Sequence, residues 1–155
     1  MAKQTVREKI LEDIKAALEL IKTENGYEND VLSVQRWKQS GNSTLLVPCI
    51  IINASGEPRR QDPHPLISCR LSVYLDLWIR HDEDDPESTD TYLNSLLLDI
   101  ENALMVDYTR NALAQNTEIT NLDPFRGVEG NPHAGVSIEV EIRYRHEQGD
   151  PTQAR

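Results

Sequence analysis

The sequence predicts an α+β domain: a mostly antiparallel β-sheet with two main helices packed on one of its faces. Three observations predict it. The stretch Leu66–Arg80 alternates without a break, with Cys69, Leu71, Val73, Leu75, Leu77 and Ile79 on one side and Arg70, Ser72, Tyr74, Asp76, Trp78 and Arg80 on the other. That is the period of a strand with one buried side. Segments 5–23 and 88–107 carry apolar residues at spacings of three and four, the period of an amphipathic helix. Most predicted strands follow one another with no helix between them, which favours α+β over an alternating parallel fold.

The elements follow in chain order. In the first helix Val6, Ile10, Ile14, Ala17, Leu18 and Ile21 form the apolar stripe. Thr5 with Glu8 three residues on has the pattern of a capping box, and Asn25-Gly26 ends the helix. A short strand over 31–37, a turn at Ser40-Gly41-Asn42-Ser43 and a second strand over 44–53 are most simply a hairpin. The second strand is apolar on both faces, through Leu45, Leu46, Val47, Ile50, Ile51 and Ile52, and contains Pro48. Proline favours an edge strand or a bulge, yet two apolar faces need covering. Either another subunit or a loop of the same chain covers the second face. Residues 53–65, with three prolines and Arg59-Arg60, form a loop.

Leu66–Arg80 is long for a strand, so a bend, a bulge or a projection beyond the sheet is expected. Ser88 or Thr89 caps the second helix, with Leu93, Leu96, Leu97, Ile100, Ala103 and Leu104 inward and Asp99 on the solvent side. A weak strand over 117–122 rests on Ile119 and Leu122, and 123–133 is a second long loop. It holds Phe125, which either pins the loop to the core or meets a partner. Val136, Ile138, Val140, Ile142 and Tyr144 alternate with Ser137, Glu139, Glu141, Arg143 and Arg145 in the last strand. Residues 1–147 make one domain, and 148–155 a flexible tail.

With 155 residues the chain is long enough for one real core. Its formal charge of −10, from 16 basic and 26 acidic residues, argues against binding nucleic acid by phosphate neutralisation or adsorbing to anionic membranes. No apolar run approaches a bilayer span and the N-terminus lacks a signal peptide's apolar centre, so a cytoplasmic location is expected. Cys49 and Cys69 both fall in strands and read as buried reduced thiols; without a Cys-x-x-Cys pair they are no zinc signature.

Chemistry is sparse. There is no Gly-rich phosphate loop, no nucleophile elbow and no His-Glu-x-x-His. His64, His81, His133 and His146 lie in loops or at strand ends, with no ligand spacing. The acidic turn 81–87 lacks the glycine and regular spacing of a calcium loop; acidic residues before a helix favour its positive end. Glu139 and Glu141 share a strand face with Arg143 and Arg145, a charged ladder suited to cross-strand pairing. No cofactor, no metal and no catalytic residue is expected.

The chain resembles the tail terminator, or minor tail, proteins of long-tailed bacteriophages and prophages. The resemblance covers about residues 5–151. It rests on an N-terminal helix, a Val-Leu-Ser-Val-Gln-Arg strand, a Pro-rich insertion, a Leu-Asn-Ser-Leu-Leu-Leu-Asp-Ile-Glu-Asn-Ala-Leu helix and a final Ile-Glu-Val-Glu-Ile-Arg-Tyr-Arg-His-Glu-Gln-Gly-Asp-Pro stretch. It implies a structural virion protein with no enzymatic activity. Such proteins form a ring, commonly a hexamer, that caps the tail tube, stops its polymerisation and offers a surface to the head or neck. The implied partners are further copies of the chain, the tail-tube protein and neck or connector proteins, first in the host cytoplasm and then at the head-proximal end of the tail. Alternatives are a neck or head–tail completion protein and a small metal-dependent enzyme.

The family carries no motif from which binding residues transfer, so the candidate residues come from the physical reading. Leu46, Ile50 and Ile52, on the two-faced strand, are expected to meet a neighbouring subunit. Arg70, Tyr74, Trp78 and Arg80 are the mix enriched at protein interfaces and join that set. Arg59, Arg60 and Phe125 are expected to face the tube or the neck.

Overall fold

Two strands of equal length form the spine of the molecule. The structure, a computed structural model, describes residues 2–37, 46–125 and 132–155. The expected turn at Ser40 to Ser43 and the middle of the second long loop lie outside the described residues. In chain order the elements are α1 (Val6–Glu19), a 3-10 turn (Thr23–Asn25), β1 (Ser33–Arg36), β2 (Cys49–Ala54) and β3 (Arg59–Gln61), then β4 (Leu66–Arg80), α2 (Pro86–Met105), β5 (Asn116–Phe125), β6 (His133–Glu147) and β7 (Asp150–Ala154). The seven strands form one mixed, mostly antiparallel sheet ordered β1-β2-β4-β6-β5, with β3 beside β4 and β7 beside β6. The fold is α+β, and no described helix is long and apolar enough to cross a membrane.

β4 pairs with β6 from Leu66↔Glu147 to Arg80↔His133 without a register shift. The long strand therefore neither bulges nor outruns its sheet; an equally long partner matches it. Every odd residue of β4 from Cys69 to Ile79 is buried, facing Val136, Ile138, Val140, Ile142 and Tyr144 of β6. Ile10, Ile14 and Leu18 of α1 and Leu96, Ile100 and Leu104 of α2 complete the same core. Both helices thus cover one face.

The helix ends show why these segments are helical. Thr5 Oγ1 accepts from the Glu8 amide at 3.1 Å, which satisfies one free N–H of the first turn. The Glu8 carboxylate is held by Arg36 instead of reaching back, at 2.6 Å, tying α1 to β1. α2 is capped by Asp85, which accepts from Ser88 N at 3.1 Å, with Pro86 in the first turn. Ser88 and Thr89, the expected caps, lie inside the helix instead; Thr89 is buried and accepts from Asp82 N at 3.0 Å.

Four further expectations are corrected. β1 and β2 run parallel, Ser33↔Cys49 to Arg36↔Ile52, not as a hairpin; the dozen residues between Arg36 and Cys49 are enough for a parallel return. β2 is internal, between β1 and β4, so Pro48 stands just before a central strand rather than within an edge strand. The expected loop over 53–65 is largely laddered. Ser55 N donates to Ser72 O at 2.8 Å and Arg70 N to Pro58 O at 3.0 Å before β3 pairs with β4. The expected flexible tail holds β7, paired with β6 through His146↔Ala154 and Glu147↔Asp150.

Two buried charges lock the helices. Asp99, expected on the solvent side of α2, is 1% exposed. Its carboxylate accepts from Glu28 N at 3.1 Å and from both Asn29 N and Asn29 Nδ2 at 2.9 Å. Arg110 is also 1% exposed. It lies 3.3 Å from Asp13 of α1 and donates to the carbonyls of Leu104 and Asp107 at the end of α2, where a cation meets the helix's negative end. Burial pushes the Arg110 guanidinium down and the Asp13 carboxyl up from their usual ranges. Arg110, Asn111 and Ala112 all have positive φ, 49°, 58° and 61°, a left-handed turn that brings the guanidinium back under the helix.

Replacing Asp99 by Ala leaves the amides of Glu28 and Asn29 without their acceptor. The expected loss is about 1–3 kcal/mol of unfolding free energy, measured by urea denaturation.

Candidate functional site

The face of the sheet away from the helices is the candidate site. A strand places alternate side chains on opposite faces, so burying the odd residues of β4 turns Ser68, Arg70, Ser72, Tyr74, Asp76, Trp78 and Arg80 the other way. All seven are half-buried or exposed, as are Ser137, Glu139, Glu141, Arg143 and Arg145 of β6. Among the described residues no helix lies over this face.

The face is graded along the strands. Near the end of β4, Trp78 stacks on Phe125, with ring centroids 4.6 Å apart and planes tilted by 56°. Gly135 lies opposite both residues in the ladder. A Cβ there would fall 1.9 Å from Leu77 O and 2.6 Å from the Phe125 ring, so only glycine admits this stack. Cys49 and Ile51 are buried on the same side. In the middle, Asn53 Nδ2 donates to Asp76 Oδ2 at 3.2 Å. Toward the start of β4 the face becomes a ladder of ions. Arg70 meets Glu141 at 3.1 Å, Arg143 meets Glu141 at 3.6 Å and Glu118 at 3.3 Å, and Arg145 meets Asp62 at 3.3 Å. Arg60 also reaches Asp62, at 3.0 Å. Hydrogen bonds, first from the Ser68 hydroxyl and then from Arg60, hold the Asp62 carboxyl below its usual range.

The structure divides the expected site residues. Arg70, Tyr74, Trp78 and Arg80 do share the open face. Leu46 is 64% exposed, just before β2. Ile50 and Ile52 are fully buried in the chain's own core and offer nothing to a neighbouring subunit. β2 is apolar on both faces because both are buried within the chain, with Ile50 and Ile52 under the helices and Cys49 and Ile51 on the opposite face beside Trp78 and Asp76. Arg59 and Arg60 lie on β3 beside Cys69 and Ser68, whereas Phe125 lies opposite Gly135, which pairs with Trp78. At ~3.3 Å per residue the two groups stand about 30 Å apart and make no common contact patch. Phe125 pins its segment to the sheet.

Beneath β3 is a polar cluster that local sequence pattern does not announce, because its members are far apart in the chain. Tyr144 donates to Glu57 Oε1, Arg59 Nε lies 2.6 Å from Glu57 Oε2, and Arg7 Nε of α1 lies 3.8 Å from Oε1. Burial, followed by the Glu57 carboxylate, pushes the Tyr144 phenol well above its usual value. Burial does the same to the Cys69 thiol. Both groups therefore stay protonated at neutral pH, the opposite of what an activated nucleophile needs. Among the described residues no group of three His, Cys, Asp or Glu side chains is placed to hold a metal ion.

No protein-family profile and no curated protein sequence matches this chain.

Ile50→Asp places an unpaired carboxylate in the core and is expected to abolish cooperative unfolding, a penalty of several kcal/mol, as read by circular dichroism. A folded variant with wild-type thermal stability contradicts the placement of Ile50. The Tyr144 phenol predicts an alkaline limit. Its folded value lies above the unfolded value near 10, so its stabilising effect is intact below pH 10 and is lost as pH rises beyond it. Tyr144→Phe is expected to flatten the fall in stability above pH 10, measured by urea denaturation across pH.

Proposed function

We propose that this chain is a structural tail protein of a long-tailed phage or prophage, a tail terminator. Copies of it close into a ring on the last ring of the tail tube, stop its growth and present a docking surface to the head or neck. The observation that carries this reading is the face of the sheet over which, among the described residues, no helix lies. Two 15-residue strands present a broad face bearing Tyr74, Trp78, Arg70 and Arg80, residue types enriched where proteins meet. Among the described residues no second layer covers this face, and a ring subunit requires surfaces that meet its neighbours.

Further support comes from the edge of the sheet. Among the described residues β1, four residues long, is an edge strand of the sheet, and exposed edges invite pairing with another chain. It is flanked by Leu32, 54% exposed, and Trp37, 73% exposed. The helix over 93–104 and the segment 144–151 are also the parts of the sequence that most resemble the terminator family. The partners of the ring are other copies of the chain, the tube protein below and a neck or connector protein above.

Electron microscopy of particles lacking this protein tests the reading. Overlong tails are the expected outcome, because nothing then arrests tube polymerisation. Tails of normal length that fail to join heads contradict termination and assign the protein to the neck.

A further inference from the structure

The surroundings of β4 differ at its two ends, arginine-rich about its start and acidic in the segment that follows Arg80. Around its start, Arg59, Arg60, Arg70, Arg143 and Arg145 line a cleft of about 460 Å³ together with Ser68 and Gln115. Five of the chain's eleven arginines thus converge on one place in a protein of net charge −10. At the far end, Asp82, Glu83, Asp84 and Asp85 between β4 and α2, with Glu87 in the first turn of α2, form an exposed acidic segment. Among the described residues none of these five carboxylates is in an ion pair.

We infer that the arginine cleft receives the acidic turn 82–87 of a second copy of this chain, so that subunits join head to tail along the direction of β4. The inference deepens the ring reading above and rests on it. Distance excludes the same chain as the source of the turn. Ser68 and Asp82 stand at opposite ends of the strand, about 45 Å apart at ~3.3 Å per residue, several times the Debye length at physiological salt. The excess negative charge of two copies makes them repel in bulk, so stable contact needs local complementarity of this kind. A contact between two unlike surfaces is heterologous, and a heterologous contact closes into a ring when its rotation allows.

The cleft is suited to carboxylates. Each guanidinium is already oriented by a carboxylate of its own chain, including Asp62 and Glu141. Arg60 and Arg70 nevertheless remain 80% and 63% exposed and keep free N–H donors for the paired geometry that arginine offers a carboxylate. Solvent-exposed ion pairs are weak enough to rearrange. The cleft therefore accepts further carboxylates without dismantling the fold.

The test is a charge exchange on the full chain. One variant carries Arg60→Glu with Arg70→Glu, and the other carries Glu83→Lys with Asp84→Arg. All four side chains are exposed, and none caps a helix. Association is measured by sedimentation in solution, and capping of purified tail tubes is scored by electron microscopy. Each variant alone is expected to associate at least ~10-fold more weakly than the wild type, and an equal mixture is expected to recover ring formation. In the mixture the acidic turn of one variant meets the intact cleft of the other, and the reversed turn meets the reversed cleft. A single variant that forms rings like the wild type, or a mixture that does not recover, overturns this contact. If the arginine variant still caps tubes as a ring, this contact fails while the ring reading stands; a wild-type chain that neither associates nor caps overturns both.

Discussion

The rest of the structure depends on the in-register pairing of β4 with β6. With a period of two, slipping one strand by a single residue exchanges its two faces. Such a slip in β4 would drive Arg70, Asp76 and Arg80 under the helices and expose Leu71, Leu75 and Ile79. The penalty for burying unpaired charges far exceeds any single hydrogen bond lost. Fifteen consecutive pairs, Leu66↔Glu147 to Arg80↔His133, therefore hold one register, and every other element is placed relative to it. The helices cover the apolar face, β2 and β3 share one edge of β4, and β5 and β7 pair with β6.

Two properties of the open face follow from the same register. The register sets Arg70 opposite Arg143, with Glu141 diagonally across meeting both, and sets Arg145 opposite Ser68 within reach of Asp62 just after β3. The grading from the Trp78–Phe125 stack to the arginine cleft also runs along the strands, giving the subunit two chemically distinct ends. A polar direction of this kind suits head-to-tail assembly. The Tyr144–Glu57–Arg59 cluster and the Asp99 and Arg110 contacts act inside the chain instead. They tie β3, α1 and the 28–29 turn to the framework and carry no reactive group.

The fold was legible wherever one strand or helix reports its own burial. The alternation of Leu66–Arg80 and of the last strand identified the buried face residue by residue, and Thr5 marked the start of α1. Features that depend on distant partners were not legible. Nothing local in Val31 to Arg36 tells a parallel from an antiparallel neighbour, and burial of both faces of β2 within one chain gives the same apolar pattern as an interface between two. Asp99 stands between Leu98 and Ile100 in a helix whose pattern places it toward solvent, but its hydrogen-bond partners lie some 70 residues away. Of the candidate site, Arg70, Tyr74, Trp78 and Arg80 were legible as one face. Ile50, Ile52 and Phe125 were not, because the side chains that enclose them come from elsewhere in the chain.

The most direct measurement is solvent access to the middle of the open face before and after assembly. A Tyr74→Cys variant places a thiol there, while native Cys49 and Cys69 are buried and stay silent in the folded protein. Maleimide labelling of the isolated subunit should be rapid. Labelling of the same subunit assembled on tail tubes should be strongly slowed, because a neighbouring subunit or the tube covers the face. Equal labelling rates in the two states would contradict the assignment of this face to assembly.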